Sequence, residues 1–191
     1  MSERVFSAIT WMGVFSLLLA GILSLQRTHG SSLDRLVRQT GGQRIHERLT
    51  PEQADYILEV KDRRVRLSNT ASTPIMFLNF WATFCPTCIE ELPSLLAMAG
   101  AHQGLVTVVA VSYDESWDQI EAFFERFEGL PPNFLVVRDP FMAPGRDLKS
   151  LFGTEKLPES YIIRGDVVEA RYVSSHAWDD EAFDALLDAM R

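Results

Sequence analysis

Two nearly continuous apolar runs, Ile75-Met76-Phe77-Leu78-Asn79-Phe80-Trp81 and Leu105-Val106-Thr107-Val108-Val109-Ala110-Val111, constrain this chain more than any other feature. A strand that is apolar on both faces has to be covered on both faces, which is the habit of strands in parallel sheets. Between the two runs, Leu92, Leu95, Leu96 and Ala99 recur at i, i+3, i+4 and i+7, one apolar face of a helix. Strand, helix, strand in this order predicts a parallel βαβ unit.

The rest of the domain follows from similar patterns. Ala54 to Val60 and Asp62 to Leu67 suggest a small hairpin at the front. Ile120, Phe123, Phe124 and Phe127 mark a second helix, opened by the capping-box run Ser116-Trp117-Asp118-Gln119. Phe134 to Val137 is a further strand. Ser160 to Ile163 and Val167 to Tyr172, joined by Arg164-Gly165-Asp166, predict an antiparallel hairpin, and Phe183, Leu186, Leu187 and Met190 a closing helix. The sum is an α/β sandwich around a mixed sheet.

Residues Val5 to Leu25 form a different kind of segment, 21 positions without a charge. As a helix they rise about 30 Å, enough to cross a bilayer core. The expected domain plan is a short flank at 1–4, a transmembrane signal-anchor at 5–25, a polar tether at 26–50 and the globular domain at 51–191. A cleaved signal peptide is the alternative, opposed by the length of the run and the lack of an A-x-A-like cleavage site. Arg4 precedes the span and Arg27, Arg35 and Arg38 follow it, so charge does not favour an N-inside topology. A single N-terminal span before a long domain is nevertheless the usual arrangement for export. Leu33, Leu36 and Val37 allow a short amphipathic helix inside the tether. The formal charge of −8, with acidic residues concentrated after position 111, argues against nucleic-acid binding, which needs a clustered basic face.

The chain has two cysteines, three positions apart, in Trp81-Ala82-Thr83-Phe84-Cys85-Pro86-Thr87-Cys88. A loop this short loses little chain entropy when closed, so chemistry explains the pair better than stapling does. A buried strand ends at Trp81 and a helix begins near Pro86, a residue suited to the first helical position. Cys85 then sits at the helix N-cap, where free N–H groups and the helix dipole stabilise a thiolate. Cys88 lies one turn further in and more shielded. Cys85 is therefore the expected nucleophile and Cys88 the resolving thiol. Zinc is a competing reading: His102 falls at Cys-x2-Cys-x13-His, but Val106, Thr107 and Val108 stand where a second histidine is needed. A structural disulfide, or a pair of idle thiols, competes as well. No metal and no cofactor are expected. His29, His46 and His176 read as surface or loop residues.

The run from Phe80 to Cys88, followed by Glu90-Glu91-Leu92-Pro93, closely resembles the TlpA/ResA/CcmG branch of thioredoxin-like proteins. The likeness covers roughly positions 51 to 191 and is sharpest from Phe77 to Pro93. It implies a thioredoxin-like fold on a membrane anchor, facing the periplasm or exterior from the cytoplasmic membrane. It also implies a reductase for disulfides in partner proteins, re-reduced by a membrane electron donor and often serving cytochrome c or copper-centre assembly. A disulfide oxidant or isomerase, and a non-catalytic binding module, stay open beside that reading.

The resemblance carries over to individual positions. Asn79 falls where ordinary thioredoxins place a buried aspartate, and its amide cannot accept a proton in that way. Glu91 matches an acidic residue that this branch keeps near its cysteines, suited to passing protons to and from Cys88. Pro158 matches the cis-proline opposite the cysteines, with the Leu157 backbone free to pair with an extended substrate. Glu159 departs from the small residue usual after that proline and is expected to put a charge beside the substrate groove. Trp81 and Pro86 complete the expected docking surface, with a plain core role open for Trp81.

Overall fold

The computed structural model describes residues 32–141 and 145–191. The anchor expected at 5–25 lies outside the described residues; among those described, no helix is long and apolar enough to cross a membrane. Residues 32–39 are helical (α1). In chain order there follow β1 (Gln43–Arg48), α2 (Pro51–Ala54), β2 (Ile57–Val60), β3 (Arg63–Arg66), a 3-10 turn (Leu67–Asn69), β4 (Ile75–Trp81), α3 (Pro86–Ala101), β5 (Val106–Ser112), α4 (Trp117–Phe124), β6 (Phe134–Arg138), α5 (Leu148–Leu151), β7 (Glu159–Arg164), β8 (Val167–Val173) and α6 (Glu181–Ala189). The strands make one mixed sheet in the order β1-β8-β7-β4-β5-β6-β2-β3.

At its centre stands the expected unit: β4 and β5 are parallel, with Ile75 opposite Val106 and Trp81 opposite Ser112. Both strands are buried at every position, which is why they read as apolar throughout. Alternation along β4 sorts the helices. Phe77 packs against Trp178 and Phe183, Asn79 bonds to Glu91 of α3, and Trp81 packs on Phe123 and Phe124. Hence α3, α4 and α6 share one face. Phe80 turns to the other, against Phe152 and Tyr161. The Ser116 capping box forms as expected, but α4 ends at Phe124; Phe127 lies beyond the helix and packs back on Phe123 and Phe124.

The expected tether is corrected from residue 32 onward. Leu33 and Val37 are buried in the core, and β1 pairs antiparallel with β8 as an edge strand. Thr40 Oγ1 lies 2.8 Å from the Tyr172 hydroxyl, and Arg44 bonds to both Asp34 and the buried Glu169. An edge strand such as Gln43-Arg44-Ile45-His46-Glu47-Arg48 is held by ladder bonds and charge pairs rather than by apolar alternation, so its polarity disguised it. The folded unit therefore starts well before Pro51.

The parallel strands β4, β5 and β6 end on the same side of the sheet, where antiparallel β7 begins: Phe80 lies opposite Glu159, and Ser112 opposite Arg138. The loops after β4, β5 and β8 and the loop before β7 converge there.

Candidate active site

Cys85 is the N-cap of α3, with Pro86 in the first turn. The Cys88 N–H donates to Cys85 Sγ at 3.3 Å, and the Thr87 hydroxyl lies 3.6 Å from the same sulfur. Cys85 and Cys88 are joined as a disulfide with their Cα atoms 5.3 Å apart. Cys85 is 8% exposed and Cys88 3%, the order expected for an attacking and a resolving sulfur. When the bond is reduced, the free amides at the N-terminus of α3 are placed to stabilise a Cys85 thiolate.

The loop that presents Cys85 is fastened to the end of β5. Asp114 is buried and accepts from the Thr83 N–H at 3.1 Å, the Thr83 hydroxyl at 2.5 Å and the Ser112 hydroxyl at 2.6 Å. Nothing in the sequence pattern singled out Asp114, because an acid after a strand is commonplace in a solvated turn.

Glu91, three residues after Cys88 on α3, is 3% exposed. It accepts from Asn79 Nδ2 at 2.9 Å on Oε1, and on Oε2 from the His176 N–H at 3.2 Å and from Trp178 Nε1 at 3.1 Å. Burial pushes its pKa up from 4.5 to about 7; the bonds from the His176 backbone, Asn79 and Trp178 pull the other way. A carboxylate poised there exchanges protons readily at neutral pH. Asn79, which also donates to Ser160 Oγ at 2.9 Å, serves as a donor to the carboxylate rather than as an acid.

The Leu157–Pro158 peptide is cis. Pro158 is buried and Leu157 half-buried. Pro86 is exposed beside the disulfide.

Two expectations are corrected. Trp81 is 2% exposed and packs on Phe123 and Phe124, so it is a core residue and not part of a docking surface. The last residue of a fully buried strand still points inward. Glu159 puts no charge beside a groove: it is 1% exposed, and its carboxylate is taken by Arg171 at 2.7 Å, Thr154 at 2.9 Å and Tyr161. The β7 register turns Ser160 toward Asn79 and Glu159 to the opposite face. The exposed side chain next to the disulfide is Phe84, at 70%, which no expectation from the sequence covered. A large apolar residue in a loop, directly before a nucleophile, was the available signal. Trp178 was missed too; a lone tryptophan in the polar run Ser174-Ser175-His176-Ala177-Trp178-Asp179 was its only mark. His102, weighed for zinc, bonds instead to Asp184 at 2.8 Å. Among the described residues, no group of three His, Cys, Asp or Glu side chains is arranged to hold a metal ion.

Residues 52–170, well over half the chain, match the family model for the AhpC/TSA family. The chain belongs to the AhpC/TSA family. Within it, the likeness expected from the cysteine motif is met by relatives of the ResA and DsbE type. The chain is 33% identical over 98 residues to the thiol-disulfide oxidoreductase ResA of Halalkalibacterium halodurans, covering 49% of this chain and 51% of that one. It is 30% identical over 112 residues to the thiol:disulfide interchange protein DsbE of Pasteurella multocida, covering 56% of each. The chain thus spans little more than half the length of these curated relatives. A solved DsbE-type thiol:disulfide interchange protein from Chlorobium tepidum superposes with a TM-score of 0.60 at 26% identity, over 78% of this chain and 99% of that one.

Proposed function

We propose that this protein is a thiol–disulfide oxidoreductase that reduces disulfides in partner proteins outside the cytoplasm, tethered by residues 5–25 and re-reduced by a membrane electron donor. The observation that carries the reading is the Cys85–Cys88 disulfide at the N-terminus of α3, one turn from a buried carboxylate, in a chain whose relatives bear the names of such enzymes. Maturation of cytochrome c or another metal centre is the role that the resemblance favours.

In the reduced enzyme, the Cys85 thiolate attacks one sulfur of a substrate disulfide. The S–S bond breaks, and the departing substrate sulfur leaves as a thiolate and takes a proton. Cys88 gives its proton to the Glu91 carboxylate and attacks Cys85 Sγ. The mixed disulfide breaks, releasing the second substrate thiolate, which is protonated in turn. Two electrons have passed from the dithiol to the substrate, and the enzyme is left as the disulfide seen here. Phe84 and Pro86, exposed beside Cys85, and the Leu157–Pro158 segment at the start of β7 form the proposed docking surface.

Cys88→Ser, expressed with the native membrane, stops the reaction at the mixed disulfide. Partners released by reductant are expected from this variant and not from Cys85→Ser. Equal recovery from both, or none from either, overturns the exchange mechanism. Equilibration with a glutathione buffer decides the direction: a midpoint below about −200 mV supports a reductant, and one near −120 mV, roughly the range of a strong oxidant, overturns it.

A further inference from the structure

Glu91 is enclosed by donors drawn from two separate parts of the chain. Asn79 reaches Oε1 from the middle of β4, while the segment after β8 supplies two donors to Oε2, the His176 backbone N–H and the Trp178 indole. That segment is itself fastened to α3, since the Trp178 N–H donates to Ser94 Oγ at 3.2 Å and the Ser94 hydroxyl donates to the Glu91 carbonyl at 2.8 Å. Trp178 is fully buried, seated edge-on against Phe77, Tyr172 and Phe183. An indole held this way on all sides cannot turn its N–H elsewhere.

We infer that Trp178 and Asn79 are positioning residues that hold the Glu91 carboxylate aimed to take the proton of Cys88. The inference rests on reading Glu91 as the proton acceptor. A carboxylate buried without donors would stay protonated at neutral pH and have no room for another proton. Three N–H groups bonded to the ionised form offset that burial and bring the carboxyl into the range where it both accepts and releases a proton. Of the titratable groups around it, Cys88 lies one turn earlier on α3. The His176 ring stacks on Trp178 at 5.2 Å and bonds to the Ser174 carbonyl rather than to the carboxylate. Among the described residues no lysine or arginine bonds to Glu91. The donors on Glu91 are therefore neutral, so they favour the anion without committing it to a permanent ion pair.

The test follows the Glu91 side-chain carboxyl carbon by NMR across pH in the full chain, kept in its disulfide form so that neither thiol titrates. Trp178→Phe and Asn79→Leu each remove one donor. Each is expected to raise the Glu91 midpoint by about one pH unit, the scale of one hydrogen bond to a charged group. In the unaltered chain, the indole N–H resonance lost in Trp178→Phe is expected to move with pH at the Glu91 midpoint and to stand still in Glu91→Gln. A merely structural tryptophan would lower the melting temperature and leave that midpoint in place. Unmoved midpoints in both folded variants, or an indole resonance flat across pH in the unaltered chain, overturn the inference. Failure of Glu91 as proton carrier shows separately, as a Glu91→Gln enzyme whose exchange rate keeps its pH profile.

Discussion

The Asp114 carboxylate holds Thr83 by both its backbone N–H, at 3.1 Å, and its hydroxyl, at 2.5 Å. Through this one contact the end of β5 fixes the loop that delivers Cys85 to the N-terminus of α3. Truncating Asp114 to Ala leaves those two donors and the Ser112 hydroxyl buried without their acceptor. The expected loss is roughly 2–4 kcal/mol in urea unfolding, with Asp114→Asn losing less because it keeps an acceptor. Equal stability of Asp114→Ala and the parent chain would remove this anchor from the account.

Glu91 makes stability depend on pH with a definite sign. Its pKa rises from 4.5 in the unfolded chain to about 7 in the folded protein. Between those values the folded state binds the proton more tightly, so the stability present at low pH is lost as pH rises from about 4.5 to about 7. The full effect is roughly 3 kcal/mol. Unfolding in urea at pH 5 and pH 8 is expected to differ by less in Glu91→Gln than in the parent. An identical difference in both proteins assigns the effect to other groups.

After reduction, Cys85 is expected to alkylate faster than Cys88 and with a midpoint below the free-thiol value of about 8.5, because it is the more exposed sulfur and caps the helix. Mass spectrometry of briefly alkylated protein reads the order directly. Preferential labelling of Cys88 contradicts the assignment of nucleophile and resolving thiol.

Phe84 is 70% exposed beside the disulfide. Phe84→Ser is expected to leave the melting temperature within about 2 °C of the parent, as surface changes do, and to raise the KM for a protein disulfide several-fold with kcat little altered. A fall in kcat alone would place Phe84 in the chemistry rather than in docking.

A Cβ added to Gly42 would stand 2.6 Å from the Tyr172 ring. Gly42→Ala therefore has to push β1 off β8 or move a fully buried tyrosine, at about 1–3 kcal/mol in thermal or urea unfolding. Parent-like stability would mean that β1 is held more loosely than its contacts indicate.

The elements behind these expectations differ in how legible they are in the sequence. The βαβ core was readable because strands buried on both faces and an amphipathic helix leave opposite and unambiguous periods, and Ile75–Trp81 forms as read. The cysteine pair was readable because Pro86 and the preceding strand locate a helix N-terminus. Edge strand β1 was not, since pairing along a backbone ladder imposes no apolar pattern on Gln43 to Arg48. Nearness to Cys85 in sequence points Trp81 toward a docking surface, yet strand alternation carries its side chain into the core.

The local sequence alone determined the strand-to-helix step that puts Cys85 at an N-cap and Cys88 one turn behind, because both depend only on neighbours a few residues apart. The environment of Glu91 was decided by tertiary structure. Its donors come from Asn79, His176 and Trp178, as many as 87 positions away, and only the folding of β4, α3 and the segment after β8 onto one another buries the carboxylate and surrounds it with N–H groups. Burial and hydrogen bonding set a pKa, and neither is a property of the residues adjacent in the chain.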